Sequence, residues 1–324
     1  MAKTFGFEST TDEVLEGVNL SGKRVLITGV SAGLGVETAR AVVAHGGTVV
    51  GTARDLEKAR HALAATFPPD ASVELVEADL ASLSSVRKAA NELLAQGKPF
   101  DVIIANAGVM ACPQGKTADG FETQFGTNHL GHFVFVNKLV PLLKSGGRIV
   151  TLSSAGHQIS DVDLDDPNFE RTEYQPFLGY GRSKTANILY AIALDNRLKG
   201  RGIRATALHP GGIQTELGRH MTPELRAQIQ KRIAASKEAA TFKYKTIPQG
   251  AATTVWASFV APAAAVGGRY CEDCHVCEVN EDATSRRGVR RGCLSSDNKT
   301  QRTSRSKAKG FAFRITPRLI EMLL

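Results

Sequence analysis

Thr28-Gly29-Val30-Ser31-Ala32-Gly33-Leu34-Gly35 constrains this chain more than any other stretch. It follows Arg24-Val25-Leu26-Ile27, an apolar run of strand length, and opens Glu37-Thr38-Ala39-Arg40-Ala41-Val42-Val43-Ala44, which has helical character and stops at Gly46-Gly47. A strand that turns through glycines directly into a helix begins a β-α-β unit, and such units build parallel sheets covered by helices. It is also the context of a dinucleotide site. Glycines let the backbone approach a pyrophosphate, and the helix N-terminus supplies free N–H groups and positive dipole. Thr28, Gly29, Ser31, Gly33, Leu34 and Gly35 are the candidate contacts. The spacing here is G-x-x-x-G-x-G rather than the commoner G-x-G-x-x-G. A tight turn without a ligand is the plainer alternative.

The rest of the 324-residue chain continues the alternation. Strands are expected at Arg24–Thr28, Thr48–Ala53, Val73–Glu77, Val102–Ala105, Arg148–Leu152, Arg204–Leu208 and Gly268–Tyr270, with helices at Leu56–Ala65, Leu83–Gln96, Thr123–Leu143 and Tyr180–Leu198 between them. The pattern predicts an α/β protein: one doubly wound Rossmann domain over 21–285, preceded by a polar N-terminal extension, 1–20. Ligands of such sheets sit at the carboxyl ends of the strands. Thr28, Arg54, Asp79, Asn106, Ser154 and Pro210 all fall at or just after an expected strand end.

The second informative stretch is Tyr180-Gly181-Arg182-Ser183-Lys184, placed after Ser153-Ser154. Residues four apart on a helix share a face. A free tyrosine titrates near ~10 and is a poor base at neutral pH. At an effective dielectric of about 20, a positive charge roughly 5 Å away contributes ~3 kcal/mol, or about two pK units, toward the phenolate. Lys184 is therefore expected to lower the Tyr180 pKa, so that Tyr180 can exchange a proton with an alcohol oxygen. A serine hydroxyl can hold that oxygen.

With both motifs present, residues 20–280 resemble the short-chain dehydrogenase/reductase family in its classical branch. Ala105-Asn106-Ala107-Gly108 is similar to the family's N-A-G motif, and Pro210-Gly211 with Thr215 to its P-G-x-x-x-T stretch. Asn128-His129-Leu130-Gly131-His132-Phe133 is similar to the retinol-dehydrogenase and WW-domain-oxidoreductase-like subgroup. The resemblance implies about seven parallel strands with helices on both faces. It implies Ser154 (over Ser153), Tyr180, Lys184 and Asn128 as catalytic residues, with Asn128 holding a proton relay. It further implies cofactor contacts from Asp79 and Leu80, from Asn106, Ala107 and Gly108, from Tyr180 and Lys184, and from Pro210, Gly211, Ile213 and Thr215. The second strand ends in Ala53-Arg54 instead of an acid that would bind both ribose hydroxyls. Arg54 can pair with a 2′-phosphate, which favours NADP(H); Asp55 follows and leaves NAD(H) open.

The chain carries a net charge of +8. Residues 286–324 hold eight Arg and three Lys against Asp297 and Glu321, a net +9, which leaves −1 for everything before them. This tail has few apolar residues and is expected to be disordered. The family resemblance stops at about Val289. Nucleic acid is a poorer explanation of the basic tail than a solvated end. The polar N-terminal segment lacks the basic start and apolar core of a secretory signal. The longest uncharged stretch, Ile247–Gly268, is punctuated by Pro248, Gly250, Pro262 and Gly267 and does not read as a membrane span. A cytoplasmic location is expected, in a reducing compartment given five cysteines.

Several stretches mimic other sites. Cys271-Glu272-Asp273-Cys274-His275-Val276-Cys277 contains a C-x-x-C-H string and four candidate zinc ligands, but has no second paired cluster. Asp161-Val162-Asp163-Leu164-Asp165-Asp166 lacks the turn glycine and terminal glutamate of a calcium loop and reads as a solvated acidic loop. No metal is expected. His129, His132 and His157 are expected to pack or hydrogen-bond, not to act as bases. Ile213, Leu217, Met221, Leu225 and Phe242 are candidates for an apolar substrate pocket. The expected activity is an NADP-dependent interconversion of an alcohol and a carbonyl on a small lipophilic substrate; homo-oligomerisation is left open. The rival readings are a sugar-nucleotide epimerase, a cofactor-binding regulator without turnover, and an interaction protein acting through its tail.

Overall fold

Strands covered on both faces are apolar through their middles, and the central strands here are. Val25, Leu26 and Ile27 are fully buried, as are Ile103 and Ile104. In this computed structural model, which describes residues 4–67, 73–235 and 242–277, the elements in chain order are α1 Thr11–Leu15, β1 Arg24–Thr28, α2 Leu34–Ala44, β2 Thr48–Ala53, α3 Leu56–Ala64, β3 Val73–Glu77, α4 Leu83–Gln96, β4 Phe100–Ala105, α5 Thr123–Phe125, α6 Gly131–Leu139, β5 Leu143–Leu152, α7 Pro176–Leu198, β6 Arg204–His209, α8 Pro223–Ala234, α9 Ile247–Val255, α10 Ala263–Val266, β7 Tyr270–Glu272 and β8 His275–Val276. One sheet of order β3-β2-β1-β4-β5-β6-β7-β8 joins them. Its first seven strands pair in parallel, and β8 closes the edge as an antiparallel hairpin with β7. This is the doubly wound α/β fold that the alternation implied.

Strand alternation sorts the core into two layers. Leu26, Ile103 and Ile149 face a layer built with Leu93 of α4, Phe135 and Leu139 of α6 and Leu194 of α7. Val25, Ile27, Ile104 and Leu208 face the other, built with Leu15 of α1, Val42 of α2 and Val255 of α9. The strand order switches between β1 and β4, so their carboxyl ends, Thr28 and Ala105, flank the crevice.

Besides shifted strand ends and a last parallel strand at Tyr270–Glu272 instead of Gly268–Tyr270, the structure departs from the expected elements in four places. The first is the N-terminal segment, which joins the body. Thr10 caps α1 in a capping box with Glu13, Leu15 is fully buried, Thr11 hydrogen-bonds Glu37 and Arg40 pairs with Asp12 at 2.8 Å. Its few apolar side chains sit on one helical face, so low hydrophobicity hid a docked turn. The helix expected over Thr123–Leu143 ends before Leu143, which already belongs to β5. That helix and the one after Thr246 each contain a π-helical turn, Gly126–Leu130 and Trp256–Val260. Finally, α7 begins at Pro176, a turn before Tyr180; proline suits the first helical position. The boundary at 285 and the basic tail 286–324 lie outside the described residues.

Docking of α1 predicts a stability cost for its anchor. Leu15→Ala is expected to destabilise the protein by about 2–5 kcal/mol, read as a lower urea midpoint. A midpoint indistinguishable from wild type would mean that α1 adds nothing to the body.

Candidate active site

The glycine turn floors the crevice. Gly29 has φ +77° and Gly33 φ +61°, backbone that suits glycine. A Cβ on Gly29 would lie 2.8 Å from Ala107 Cβ, and one on Gly35 would lie 2.0 Å from the Gly29 carbonyl oxygen. The turn can therefore lie against the Asn106–Gly108 loop while α2 springs directly from it. The N-cap of α2, Gly33, brings no side-chain acceptor to the first-turn N–H groups. Those donors and the helix dipole form a cradle that suits a pyrophosphate.

Thr28 ties this turn to its surroundings. Its buried hydroxyl accepts from Asn106 N at 2.9 Å and Ala107 N at 3.0 Å, and lies 2.8 Å from His132 Nε2. With both lone pairs used, the hydroxyl donates to the ring. Nε2 is thus bare, and Nδ1 carries the proton that His132 gives to the Asn128 carbonyl at 2.9 Å. Burial pushes the His132 pKa down to about 4, which keeps this neutral tautomer at ordinary pH. The Asn106 side chain donates to Thr28 O at 2.8 Å.

Asn128 lies in the π-helical turn, where Gly131 N reaches back to Gly126 O. Its carbonyl accepts from His132 Nδ1 and, at 3.1 Å, from Asn187 Nδ2. Its side chain pins Val109 by both backbone groups, at 2.8 and 2.9 Å, and donates to Ser183 Oγ at 3.0 Å. Ser183 in turn donates to the Tyr180 carbonyl at 2.8 Å. A continuous chain of hydrogen bonds thus runs from the end of β1 to the helix that carries Tyr180.

Tyr180 and Lys184 are both buried on α7. Burial pushes the Tyr180 phenol up to about 12, against the hydrogen bond from Ser154 that lowers it. Burial likewise lowers the Lys184 ammonium to about 8. Lys184 Nζ lies 5.5 Å from the Tyr180 ring centroid and donates to Leu152 O at 3.1 Å. Desolvation therefore leaves the phenol above its ordinary value, where a lowering by Lys184 was expected, and at neutral pH the pair is a neutral phenol beside a cation.

Arg54 is exposed at the end of β2. The Asp55 carboxylate caps α3, accepting from Lys58 N at 2.9 Å. Asp79 Oδ1 accepts from Ala81 N at 2.9 Å, while Leu80 is buried, with its carbonyl 2.5 Å from where a Cβ on Gly131 would lie. After β6, Pro210 and Gly211 lead to Ile213, whose side chain packs toward Gly250 and Leu34. Thr215 caps the turn Glu216–His220 and presents its methyl to Gly33, 3.3 Å from where a Cβ would be. Ile213 therefore packs against α9 and α2.

A family model described as short chain dehydrogenase matches residues 23–226. The chain is 43% identical over 262 residues to the short-chain dehydrogenase/reductase prx1 of Penicillium roqueforti, covering 79% of this chain and 75% of that one. It is 41% identical over 272 residues to human retinol dehydrogenase 14, covering 79% of each. The chain belongs to the short-chain dehydrogenase family. Within it, the retinol-dehydrogenase-like subgroup is the one it matches. Among solved structures it superposes on an uncharacterised protein from Mycobacterium paratuberculosis, with a TM-score of 0.63 at 31% identity, covering 89% of this chain and 95% of that one. The fold is shared with a Burkholderia cenocepacia short chain dehydrogenase in complex with NADP, with a TM-score of 0.61 at 24% identity, covering 78% and 96%. As a short-chain dehydrogenase the protein is an NAD(P)-dependent oxidoreductase acting on CH–OH groups.

Three residues of this short-chain dehydrogenase were missed by motif reading. Ser183 and Asn187 hold the Asn128 turn, and Gly156 makes room for the Tyr180 ring, which lies 2.8 Å from where its Cβ would be. Helical spacing could have found the first two, since Tyr180, Ser183, Lys184 and Asn187 recur at three and four residues. Of the histidines, His129 is held neutral by burial, with a pKa of about 4, and bonds Asn187 at 3.1 Å. His157 Nδ1 bonds the Ser154 carbonyl at 2.6 Å. The acidic loop departs from its solvated reading at Asp166, which is buried and accepts from Glu170 N at 2.7 Å and Thr172 N at 2.9 Å. Cys271 and Cys274 pack in one core layer and Cys277 in another cluster, and all three are free thiols. No group of three or more metal-ligating side chains gathers among the described residues, and no helix there is long and apolar enough to cross a membrane.

The two serines differ in what they touch. Ser153 Oγ is buried and donates to the Lys184 carbonyl at 2.8 Å, whereas Ser154 Oγ accepts from Gly156 N at 3.0 Å and flanks Gly156 together with the Tyr180 ring. Ser154→Ala is expected to lower kcat by about a hundredfold or more, with Ser153→Ala keeping most turnover and losing roughly 1 kcal/mol of stability. Steady-state kinetics and denaturant melts separate the two. The opposite ranking would transfer the substrate-facing role to Ser153.

Proposed function

We propose that the protein is an NADP-dependent carbonyl reductase and alcohol dehydrogenase for a small lipophilic substrate, working through Ser154, Tyr180, Lys184 and Asn128. The observation that carries this reading is a buried, neutral Tyr180 phenol whose ring flanks Gly156 together with the Ser154 hydroxyl, with cationic Lys184 one helical turn away. The bound nicotinamide coenzyme supplies or accepts the hydride. Ser154 holds the carbonyl oxygen. Tyr180 gives that oxygen a proton in reduction and removes it in oxidation. Lys184 stabilises the phenolate that forms, and Asn128 anchors the turn through which the proton is replaced. A phenol with a pKa near 12 is an acid throughout the neutral range, so the unassisted pair is poised for reduction.

The residues that would hold the coenzyme are the glycine turn for the pyrophosphate, Asp79 and Leu80 beside the adenine, Asn106–Gly108 along the ribose, and Pro210–Thr215 at the nicotinamide. Arg54 would select NADP. Asp55 spends its carboxylate on the α3 cap, which leaves Arg54 as the charged group facing a 2′-phosphate. Phe242 and Tyr244 are exposed aromatics stacked edge to face at 5.2 Å. They stand over Gly212 at the nicotinamide end, which favours an apolar substrate. Human retinol dehydrogenase 14, by its name, acts on such a molecule.

Turnover of NADPH with a panel of lipophilic aldehydes and ketones tests the activity. Tyr180→Phe should abolish it and leave NADPH binding nearly unchanged; a variant that kept a large share of wild-type turnover would refute the mechanism. The pH profile follows from Lys184. Its charge is present below a pKa of about 8 and is lost as pH rises through that value. The kcat for reduction should therefore hold through neutrality and fall above about pH 8. A profile flat to pH 10 would show that the lysine charge is not used.

Arg54→Ala should weaken NADPH binding roughly ten- to a hundredfold and scarcely change NADH binding. Fluorescence titration with each coenzyme reads this directly. Equal losses for both would make Arg54 structural.

A further inference from the structure

The backbone that leaves β6, Pro210-Gly211-Gly212-Ile213, is held by a residue from a distant segment. Lys245 N donates to Gly212 O at 2.8 Å, and Lys245 pairs with Ile213 in an isolated parallel bridge. The Lys245 side chain then runs beneath Gly211. Gly211 has φ +99°, and a Cβ there would lie 2.7 Å from Lys245 Cδ and 3.0 Å from its Cε. The side chain is only 1% exposed, and its Nζ meets Asp273 Oδ1 at 2.5 Å. The Phe7 ring lies 4.7 Å from the same ammonium.

Asp273 is itself unusual. With Cys274 it forms the two-residue turn between β7 and β8, and both residues are left-handed, with φ of 49° and 57°. Positive φ at both central residues matches the twist of a hairpin, but neither residue here is glycine. The turn is pinned by the Lys245 ion pair on one residue and by Cys274 N donating to Thr253 Oγ1 at 3.2 Å on the next. A buried ammonium is costly unless paired, and an apolar side chain of similar length would fill the same space more cheaply. What the ion pair adds is direction: it fixes the lysine stem under Gly211. Gly212, the next residue, lies against the aromatic rim, and its Cβ would be 3.1 Å from Phe242 Cζ.

We propose that the ion pair between buried Lys245 and half-buried Asp273 is a positioning element for the nicotinamide end of the coenzyme groove, setting the Pro210–Ile213 backbone and, through Gly212, the aromatic rim above it. This rests on the coenzyme reading given under Proposed function. It separates two halves of the groove: the glycine turn and Arg54 would hold the adenosine and phosphates without Lys245, whereas the nicotinamide end would depend on it.

Binding of two ligands separates that role from general support of the fold. NADPH carries the nicotinamide; 2′-phospho-ADP-ribose has the same adenosine and pyrophosphate but no nicotinamide ring. Calorimetric titration of full-length Lys245→Met and Asp273→Asn should show NADPH affinity lowered tenfold or more, with 2′-phospho-ADP-ribose affinity changed less than twofold. Asp273→Asn keeps a residue that tolerates left-handed backbone, and decides the test if Lys245→Met does not fold. Equal losses for both ligands, or unchanged NADPH affinity, would overturn the proposal. A wild-type protein that bound neither ligand would overturn the coenzyme reading itself, and this role with it.

Discussion

The buried hydroxyl of Thr28 is the point on which the rest of the site depends. It stands at the end of β1, where the strand order reverses, and uses both lone pairs and its proton at once. The two accepted bonds dock the Asn106–Gly108 loop onto the glycine turn. The donated bond sets the His132 tautomer, which orients the Asn128 carbonyl, and the Asn128 side chain reaches Ser183 and through it the Tyr180 turn of α7. A polar group this deep is costly if any partner is missing. The network therefore specifies one arrangement of four separate elements.

That arrangement also governs the electrostatics. Tyr180 and Lys184 are buried by the same packing that orients them, and burial opposes charge on each. The phenol rises while the ammonium falls, to about 12 and about 8. Simple Coulomb reasoning from helical spacing predicts a lowered tyrosine, because it counts the neighbouring charge and omits desolvation. The protein alone thus holds a neutral phenol beside a cationic ammonium.

Packing also reassigned residues that looked peripheral. The polar N-terminal segment contributes Leu15 to the core and Thr11 and Asp12 to a cluster with Glu37 and Arg40. Asp166 draws the 170–172 backbone around its carboxylate, and Arg182, stacked 3.7 Å over Phe169, donates to the Asp166 carbonyl. The same holds for Lys245, an unremarkable lysine in a loop until the fold puts it beneath Gly211.

Much of the architecture was legible in the chain. Short β-branched and apolar runs, separated by helical periods, place β1, β2 and β3 at their observed bounds, because strand propensity and helical periodicity are both local signals. The glycine turn was equally plain, since only glycine allows the contacts at Gly29 and Gly35. Helical spacing put Tyr180 and Lys184 on one face of α7, where both are buried. What the chain could not express was contact between segments far apart in sequence: the different surroundings of Ser153 and Ser154, the two bonds accepted by the Asn128 carbonyl in the π-helical turn, the occupation of Asp55 by its helix cap, and the ion pair joining Lys245 to Asp273. Local propensity records how a residue treats its neighbours along the chain. Desolvation and hydrogen-bond partnership depend on neighbours in space, and these decided the protonation and orientation of the site.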